Sequence, residues 1–526
     1  MRKRLLFIVI PVILLILLPE LLAPFNDDNE LFHSMGFLHH AFGRIPYAGL
    51  WDQNFPGIVW LHSTIISIFG VSPFVYRAVD LIAQLLIAGL LALTVNRYYG
   101  RKPAIIASIL YSLDYMYGGF WLAGQRDSFG SLLMLIATML FIAVRKEPDR
   151  HSAVRSSIYL VVAGLCMGAA ISFRPTQGLF ALVLGVTMLI YGNKKRWKWA
   201  ASYFCGIIGI WALILFMHLA PAGAVSEFYL DAIRYNIEVF NQPQYRGSPL
   251  LLIIRPREIV YHLALIGWLF FYIRKNGFGN ITQRIQKAPM EVMLFAGYYI
   301  AAKAGVIIMG KYFISHYHPQ FVLTAILGAL VIKSIIAAFG DSKLVNRSAI
   351  AVLVVLIGWF YAQSMVPPFL SNVFAGKGTS LHELHETKHY GTNDWQLEYD
   401  AASNYLLAHG AAGNRLEVWG WCPGLYWRTG CNSSSRFPIM LPLIQTGHDG
   451  KLTSYQHDWQ QEFIDSLTKV PPKFIVIAKD SMGLGTFYFH DAQTFIDSVK
   501  GFRDLLTSNY RLDTMMAHWD IFQKYK

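Results

Sequence analysis

Asp27, Asp28 and Glu30 place three carboxylates within four positions, directly after the first apolar run. A carboxylate near a low-dielectric boundary holds its proton more tightly and can take one from a hydroxyl. The same cluster also suits a helix start: Asp27 followed by Glu30 resembles a capping box, and helix N-termini favour acidic side chains. Both readings are compatible for different members of the cluster. A second acidic position is Asp127, which follows Arg126 in "WLAGQRDSFG" and fits either an N-cap or an acid/base role. Basic groups form a complementary set. Lys311 and His316, with Tyr317 beside them, crowd "GKYFISHYHPQF", where positive charge would suit a phosphate or simply anchor a helix at a membrane interface. Lys303 lies inside an apolar run, where a charge is costly and points to function unless it snorkels outward. Arg77 and Arg174 stand near the ends of other apolar runs, and Asp80, one turn beyond Arg77, is placed to pair with it.

The elements that must position these groups are largely membrane helices. The chain has 526 residues, 54% hydrophobic and only 15% charged, with a mean hydropathy of +0.38. Soluble domains carry about 25% charged residues. A net charge of +13 and a pI near 9.4 raise nucleic-acid binding. The location of the charge excludes it, because Lys and Arg concentrate in short loops between apolar runs.

"MRKRLLFIVIPVILLILLPELLAP" reads as a retained signal anchor with a cytoplasmic N-terminus. Further runs able to span lie near 72–96, 103–119, 128–144, 157–172, 177–192, 199–220, 257–274, 290–309, 319–339 and 348–366, giving about eleven helices. Basic loops such as "NRYYGRK", "VRKEPDRHSAVR", "YGNKKRWKW", "IRKNGFGNITQRIQK" and "GDSKLVNR" alternate with less basic ones. Placing the basic set inside puts residues 25–71, and everything after Val366, outside.

The predicted organisation is a transmembrane domain over 1–366, carrying a catalytic external loop at 25–71, and an extracytoplasmic α/β domain over 367–526. Within the loop, Leu31, Met35, Leu38 and Phe42 keep helical spacing, which predicts a helix lying in the membrane interface. In the C-terminal part, "RLEVWGW" and "KFIVIAKD" read as buried strands, and "LEYDAASNYLLAHG" and "DAQTFIDSVKGF" as amphipathic helices.

Other motifs carry less. "SLHELHETKH" sets His382, His385 and His389 on one helical face, but it contains no HExxH, and a solvated polar helix explains it better than a metal site. Cys166 and Cys205 read as core residues, whereas Cys422 and Cys431 would be able to form a disulfide outside the cytoplasm. The chain has no Walker motif and no GxGxxG after a strand. No cofactor is expected, and no motif supports a divalent metal.

"DDNELFHSMGFLHHAFGRIPYAGLWDQNFPGIVWLHSTIISIFGVSPFVYRAVDLI" resembles the first external loop of the GT-C fold glycosyltransferases, in particular the protein O-mannosyltransferase-like branch that includes the aminoarabinose lipid A transferases. The matching positions are Asp27-Asp28, Gly43 to Tyr47, Trp51-Asp52 through Gly57, Ile68 to Gly70, and Arg77. Phe55 replaces the first Pro of the family's Pro-Pro-Gly, and Asn54 stands where a Lys is common. "GQRDSFGSLLMLI" and "GKYFISHYHPQF" resemble the second external loop and a late Gly-Arg-x-x-x-His-Tyr stretch, with Lys311 near the basic position.

The resemblance implies a fold and a reaction. The fold is a polytopic α-helical membrane protein with a soluble α/β tail. The reaction is inverting transfer of a hexose or pentose from a polyprenyl-phosphate donor to a hydroxyl of a lipid, glycan or protein acceptor. It implies Asp27 as base, with Asp28 or Asp127 orienting the acceptor or sharing that role. Lys303, Lys311, His316 and Arg77 would neutralise the departing phosphate, with Glu30, Tyr47, Asp52, Arg126 and Tyr317 in the substrate site. The implied location is a bacterial inner (plasma) membrane. A transporter or flippase for an anionic lipid or sugar is the alternative, disfavoured by the lack of an internal repeat.

Overall fold

The computed structural model describes residues 2–22, 25–146, 152–254, 258–259, 262–263, 266, 290–338, 355, 358, 395–479 and 492–525. The predicted spans near 257–274 and 348–366, the loops at 273–287 and 340–347, and the histidines of "SLHELHETKH" fall wholly or largely outside them. The chain forms two compact units, neither contiguous in sequence. One comprises Met1–Ala23, Arg77–Leu213 and Gly247–His389; the other comprises Pro24–Tyr76, Ile214–Arg246 and Tyr390–Lys526.

The first unit is helical. Helices Arg2–Leu17, Arg101–Gly118, Arg126–Lys146, Ala153–Phe173, Gln177–Tyr191, Arg196–Leu213, Met290–Met309 and His318–Ala338 coincide with predicted runs, as does the long helix Pro73–Tyr99. Among the described residues, five helices are long and apolar enough to cross a membrane: Pro73–Tyr99, Arg126–Arg145, Ala153–Phe173, Arg196–Leu219 and Met290–Met309. Their outward positions are apolar too; Ile208 and Ile300 are 65% and 68% exposed. Such surfaces in helices of this length suit lipid rather than water. Inward, Met134, Phe141, Leu160, Met167, Phe180, Leu184, Trp199, Tyr203, Leu294 and Tyr298 pack into one core.

Helices Ala153–Phe173 and Arg196–Leu213 approach through glycine. A Cβ on Gly164 would overlap the Tyr203 carbonyl oxygen, one on Gly168 the Ile210 side chain, and one on Gly206 the Val161 carbonyl oxygen. Small residues four apart let backbones meet where no hydrophobic effect drives helix association.

In the second unit the C-terminal residues build a five-stranded mixed sheet in the order β2-β1-β3-β5-β4. The strands are β1 (Arg415–Trp419), β2 (Asn432–Ser433), β3 (Phe474–Ala478), β4 (Tyr510–Met515) and β5 (Trp519–Lys524). β2, β1 and β3 are parallel, with Leu416 opposite Phe474, and β5 joins β3 antiparallel. The two predicted strands are thus central neighbours, buried throughout apart from Arg415. The β4–β5 hairpin alternates less clearly and was not predicted. "LEYDAASNYLLAHG" is helical within Trp395–Ala408. "DAQTFIDSVKGF" instead forms a 3-10 turn at Ala492–Ser498, and a helix starts only after Gly501, whose φ of 83° suits glycine. Cys422 and Cys431 are both buried and are not joined to each other; Cys431 Sγ donates to the Ala411 carbonyl at 3.1 Å.

Candidate active site

The acidic cluster opens helix Asp27–Phe42 in the second unit, and the cap is not one of its carboxylates. Asn26 is the N-cap: its side chain accepts from the Asn29 backbone N–H at 3.0 Å. Asp27 and Asp28 therefore stand in the first turn without the capping task the sequence offered them. Both are half-buried, and among the described residues neither pairs with a cation nor accepts a hydrogen bond. Burial first, and then the charges of Asp28 and Glu30, push the Asp27 carboxyl well above the usual carboxylate range.

Glu30 is differently placed. It is buried and held by the C-terminal segment: Arg428 reaches both carboxylate oxygens at 2.8 and 2.7 Å, and Trp427 Nε1 donates at 2.9 Å. The helix itself is buried from Asn29 to Leu38, so it does not lie in an interface as its spacing suggested. Two of its polar positions find partners inside protein. His33 Nδ1 meets His62 Nδ1 at 3.2 Å, and Ser34 donates to the Pro423 carbonyl at 2.6 Å. Phe25, Tyr76 and Trp427 close around the two imidazoles.

The rest of the external loop is built as a scaffold. Tyr47, fully buried with a φ of 70°, donates its hydroxyl to the Asn54 carbonyl at 2.7 Å. Asp52 accepts from the Asn54 backbone and side chain, both at 2.8 Å. Arg436 binds the Tyr47 carbonyl at 3.1 Å and Asp231 at 2.8 Å, and Arg44 binds the carbonyls of Ser433 and Ser435. Tyr47 and Asp52 thus shape the loop with their polar atoms.

Glu417 on β1 fixes the Ser433–Arg436 stretch: it accepts from the backbones of Ser434 and Ser435, both at 3.0 Å, and from the Ser435 hydroxyl at 2.6 Å. Burial raises its pKa to about 7, against an ordinary 4.5, and those hydrogen bonds and Arg44 offset only part of the effect. Because the folded value is the higher one, the stability it contributes is full below pH 4.5 and is lost as pH rises through about 7. The loss amounts to roughly 3 kcal/mol. Thermal unfolding of the Glu417→Gln protein between these pH values should show a flatter dependence of Tm on pH than the wild type. An unchanged slope would assign that dependence to other groups.

In the first unit, Asp127 opens helix Arg126–Lys146, is buried, and pairs with the buried Arg174 at 3.1 Å. Arg126 beside it is half-buried. Lys303 is paired with Glu258, which also accepts from Gln320 at 2.8 and 3.0 Å. Sequence reasoning missed Glu258: it is the last residue of "RPRE", at the start of the predicted span near 257–274, and was given no task. Lys311, His316 and Tyr317 are all buried around a turn where Gly310 and Tyr312 have φ of 65° and 56°.

Arg77 is buried, and Asp80 accepts from Tyr115 at 2.6 Å, from Gln84 at 2.7 Å and from the Gly124 backbone. Tyr115 also lies 2.6 Å from Glu20, and Gln84 accepts from Tyr111, which meets His318 at 3.2 Å. His318 in turn meets Ser131 at 3.0 Å. This buried polar chain gives Asp80 many partners beyond the Arg77 pairing its spacing suggested. Among the described residues, no group of three or more His, Cys, Asp or Glu is placed to hold a metal ion.

Residues 53–220 match the family model described as dolichyl-phosphate-mannose-protein mannosyltransferase. Among solved structures, ArnT from Cupriavidus metallidurans bound to undecaprenyl phosphate matches with a TM-score of 0.54 and 14% identity, over 99% of this chain and 98% of that one. AglB, the archaeal oligosaccharyltransferase from Archaeoglobus fulgidus in complex with an inhibitory peptide and a dolichol-phosphate, matches with a TM-score of 0.52 and 12% identity, over 90% of this chain and 69% of that one. No curated protein sequence matches. The chain is a multi-pass membrane protein with the GT-C fold, and its likeness is to the protein mannosyltransferase and ArnT branch of that fold.

Proposed function

We propose that this protein is an inverting glycosyltransferase that moves a sugar from a polyprenyl-phosphate donor to an acceptor hydroxyl on the extracytoplasmic side of a bacterial plasma membrane. The observation that carries the reading is Asp27: a carboxylate with a raised proton affinity, relieved of capping by Asn26 and unpaired among the described residues, at the head of a helix otherwise locked in place. The fold shared with ArnT and the family match over 53–220 support the reaction class.

In the proposed reaction the acceptor oxygen attacks the anomeric carbon as its proton passes to Asp27. The bond from that carbon to the phosphate oxygen breaks on the opposite face, which inverts the configuration. The polyprenyl phosphate leaves as a monoester with one more negative charge than it had as the diester. Positive groups aimed at such developing charge are the usual source of stabilisation. Lys311, His316 and Arg77 are assigned that task. Lys303 shares it only in competition with Glu258, which already matches its charge. Asp28 orients the acceptor, and Asp127 contributes through its pair with Arg174. Arg126 and Tyr317 complete the assignment as substrate-binding residues.

Purified protein reconstituted in liposomes, given undecaprenyl-phosphate sugars and lipid, glycan or peptide acceptors, should form a glycosidic bond of inverted configuration. Movement of the lipid-linked sugar across the bilayer without bond formation would replace the transferase by a flippase.

A further inference from the structure

The strongest feature outside the assigned chemistry is the grip of the C-terminal segment on Glu30. Arg428 and Glu30 have side chains only 7% and 1% exposed and form a two-pronged ion pair. The guanidinium lies over the rings of Trp427 and Tyr399, 4.1 and 4.5 Å from their centroids, and the Trp427 indole N–H takes a further bond to Glu30. Gly424 makes room for the pair: a Cβ there would overlap a Glu30 carboxylate oxygen and crowd the guanidinium. Ser34 adds a second tie, to Pro423. A buried ion pair is weak support for stability, since apolar residues of similar volume often do as well. What a charged clamp adds is its charge. Asp27 and Glu30, three residues apart, are neighbours on one helical face.

We propose that Arg428 is a positioning residue for sugar transfer: it fixes the helix Asp27–Phe42 through Glu30 and offsets part of the charge of Glu30 beside Asp27. The proposal rests on the reading of Asp27 as the base. The groups that act on Asp27 are Asp28 and Glu30 from its own helix and Tyr399 from helix Trp395–Ala408, with Arg428 acting through Glu30. Asp400 lies 3.7 Å from Arg428 and is mostly exposed, so it competes little. His33, one turn beyond Glu30, is held down to about 3 by burial and by Arg428 and stays neutral throughout an assay range near neutrality.

The test uses the full-length protein and dicyclohexylcarbodiimide, which labels protonated carboxyls. Labelling of Asp27 is followed against pH by mass spectrometry. In Arg428→Gln the midpoint should move to higher pH by about one unit, because a buried negative charge is left unneutralised. In the double variant Glu30→Gln/Arg428→Gln it should fall back to the wild-type midpoint or below it, since the charge that raises it leaves with its partner. Trp427→Phe should leave the midpoint in place and lower only the Tm. A folded Arg428→Gln protein with the wild-type midpoint overturns the proposal. If that variant does not fold, Arg428→Lys, which keeps the charge and loses the fork, must hold the midpoint while weakening the helix; a shifted midpoint there overturns it equally. The base reading fails separately: normal transfer by Asp27→Asn removes it, whatever the labelling midpoints do.

Discussion

The Asp27→Asn protein is expected to fold and to have lost sugar transfer by roughly 10²–10⁴-fold, the usual worth of a positioned general base. The substitution keeps the shape of the side chain and removes only its ability to take a proton. Nothing in the fold depends on the charge: Asn26 caps the helix, and Glu30 ties it down. Asp28→Asn should cost less, and its rate should respond mainly through KM for the acceptor.

The pH profile gives an independent view. A base works deprotonated, and burial together with Asp28 and Glu30 holds the Asp27 proton more tightly than usual. The acid limb of kcat/KM should therefore lie above the ordinary carboxylate range, falling tenfold per pH unit below it. Full transfer by Asp27→Asn, or an acid limb near pH 4 in the wild type, would remove Asp27 from the role.

The second large effect concerns folding. Gly206→Leu should abolish recovery of folded protein, because a side chain there has to displace the Val161 carbonyl and the helix Ala153–Phe173 behind it. In lipid such helices are held by close packing, and forcing them apart leaves little to hold them. Gly209→Ala, in the same helix, is the control: a Cβ there meets nothing within 4 Å and should be tolerated. The readout is a monodisperse peak on size exclusion after solubilisation. Folded Gly206→Leu protein in wild-type yield would mean that the two helices are not packed as described.

The membrane helices were legible because continuous apolar runs have one stable outcome in lipid, where backbone groups must be satisfied within the segment. The strand Phe474–Ala478 was legible for a similar reason, as a short apolar run, whereas Arg415–Trp419 carries Glu417 between Leu416 and Val418. The β4–β5 hairpin was not, since its exposed positions carry Arg511, Leu512 and Met515 without clean alternation. At the candidate site the sequence pointed to Asp27 but gave Glu30 no distinct task. That task comes from Arg428, 398 positions away, and no local pattern encodes such a distance. The same holds for Lys303, whose partner Glu258 lies 45 positions earlier. The sequence grouped residues 25–71 with the membrane helices; in the structure Pro24–Tyr76 packs with the C-terminal sheet and with Ile214–Arg246.

The three-part make-up of the second unit bears on how the protein is born. Glu30 leaves the ribosome 398 positions before Arg428. Through the whole of membrane insertion the Asp27–Phe42 helix is a set of uncompensated negative charges, with its buried face still open. Only when the segment carrying Arg428 has folded does Glu30 acquire its counter-ion. A chain that stops short of Tyr390 thus holds Glu30 without Arg428 and Ser34 without the Pro423 carbonyl, and its second unit is left open.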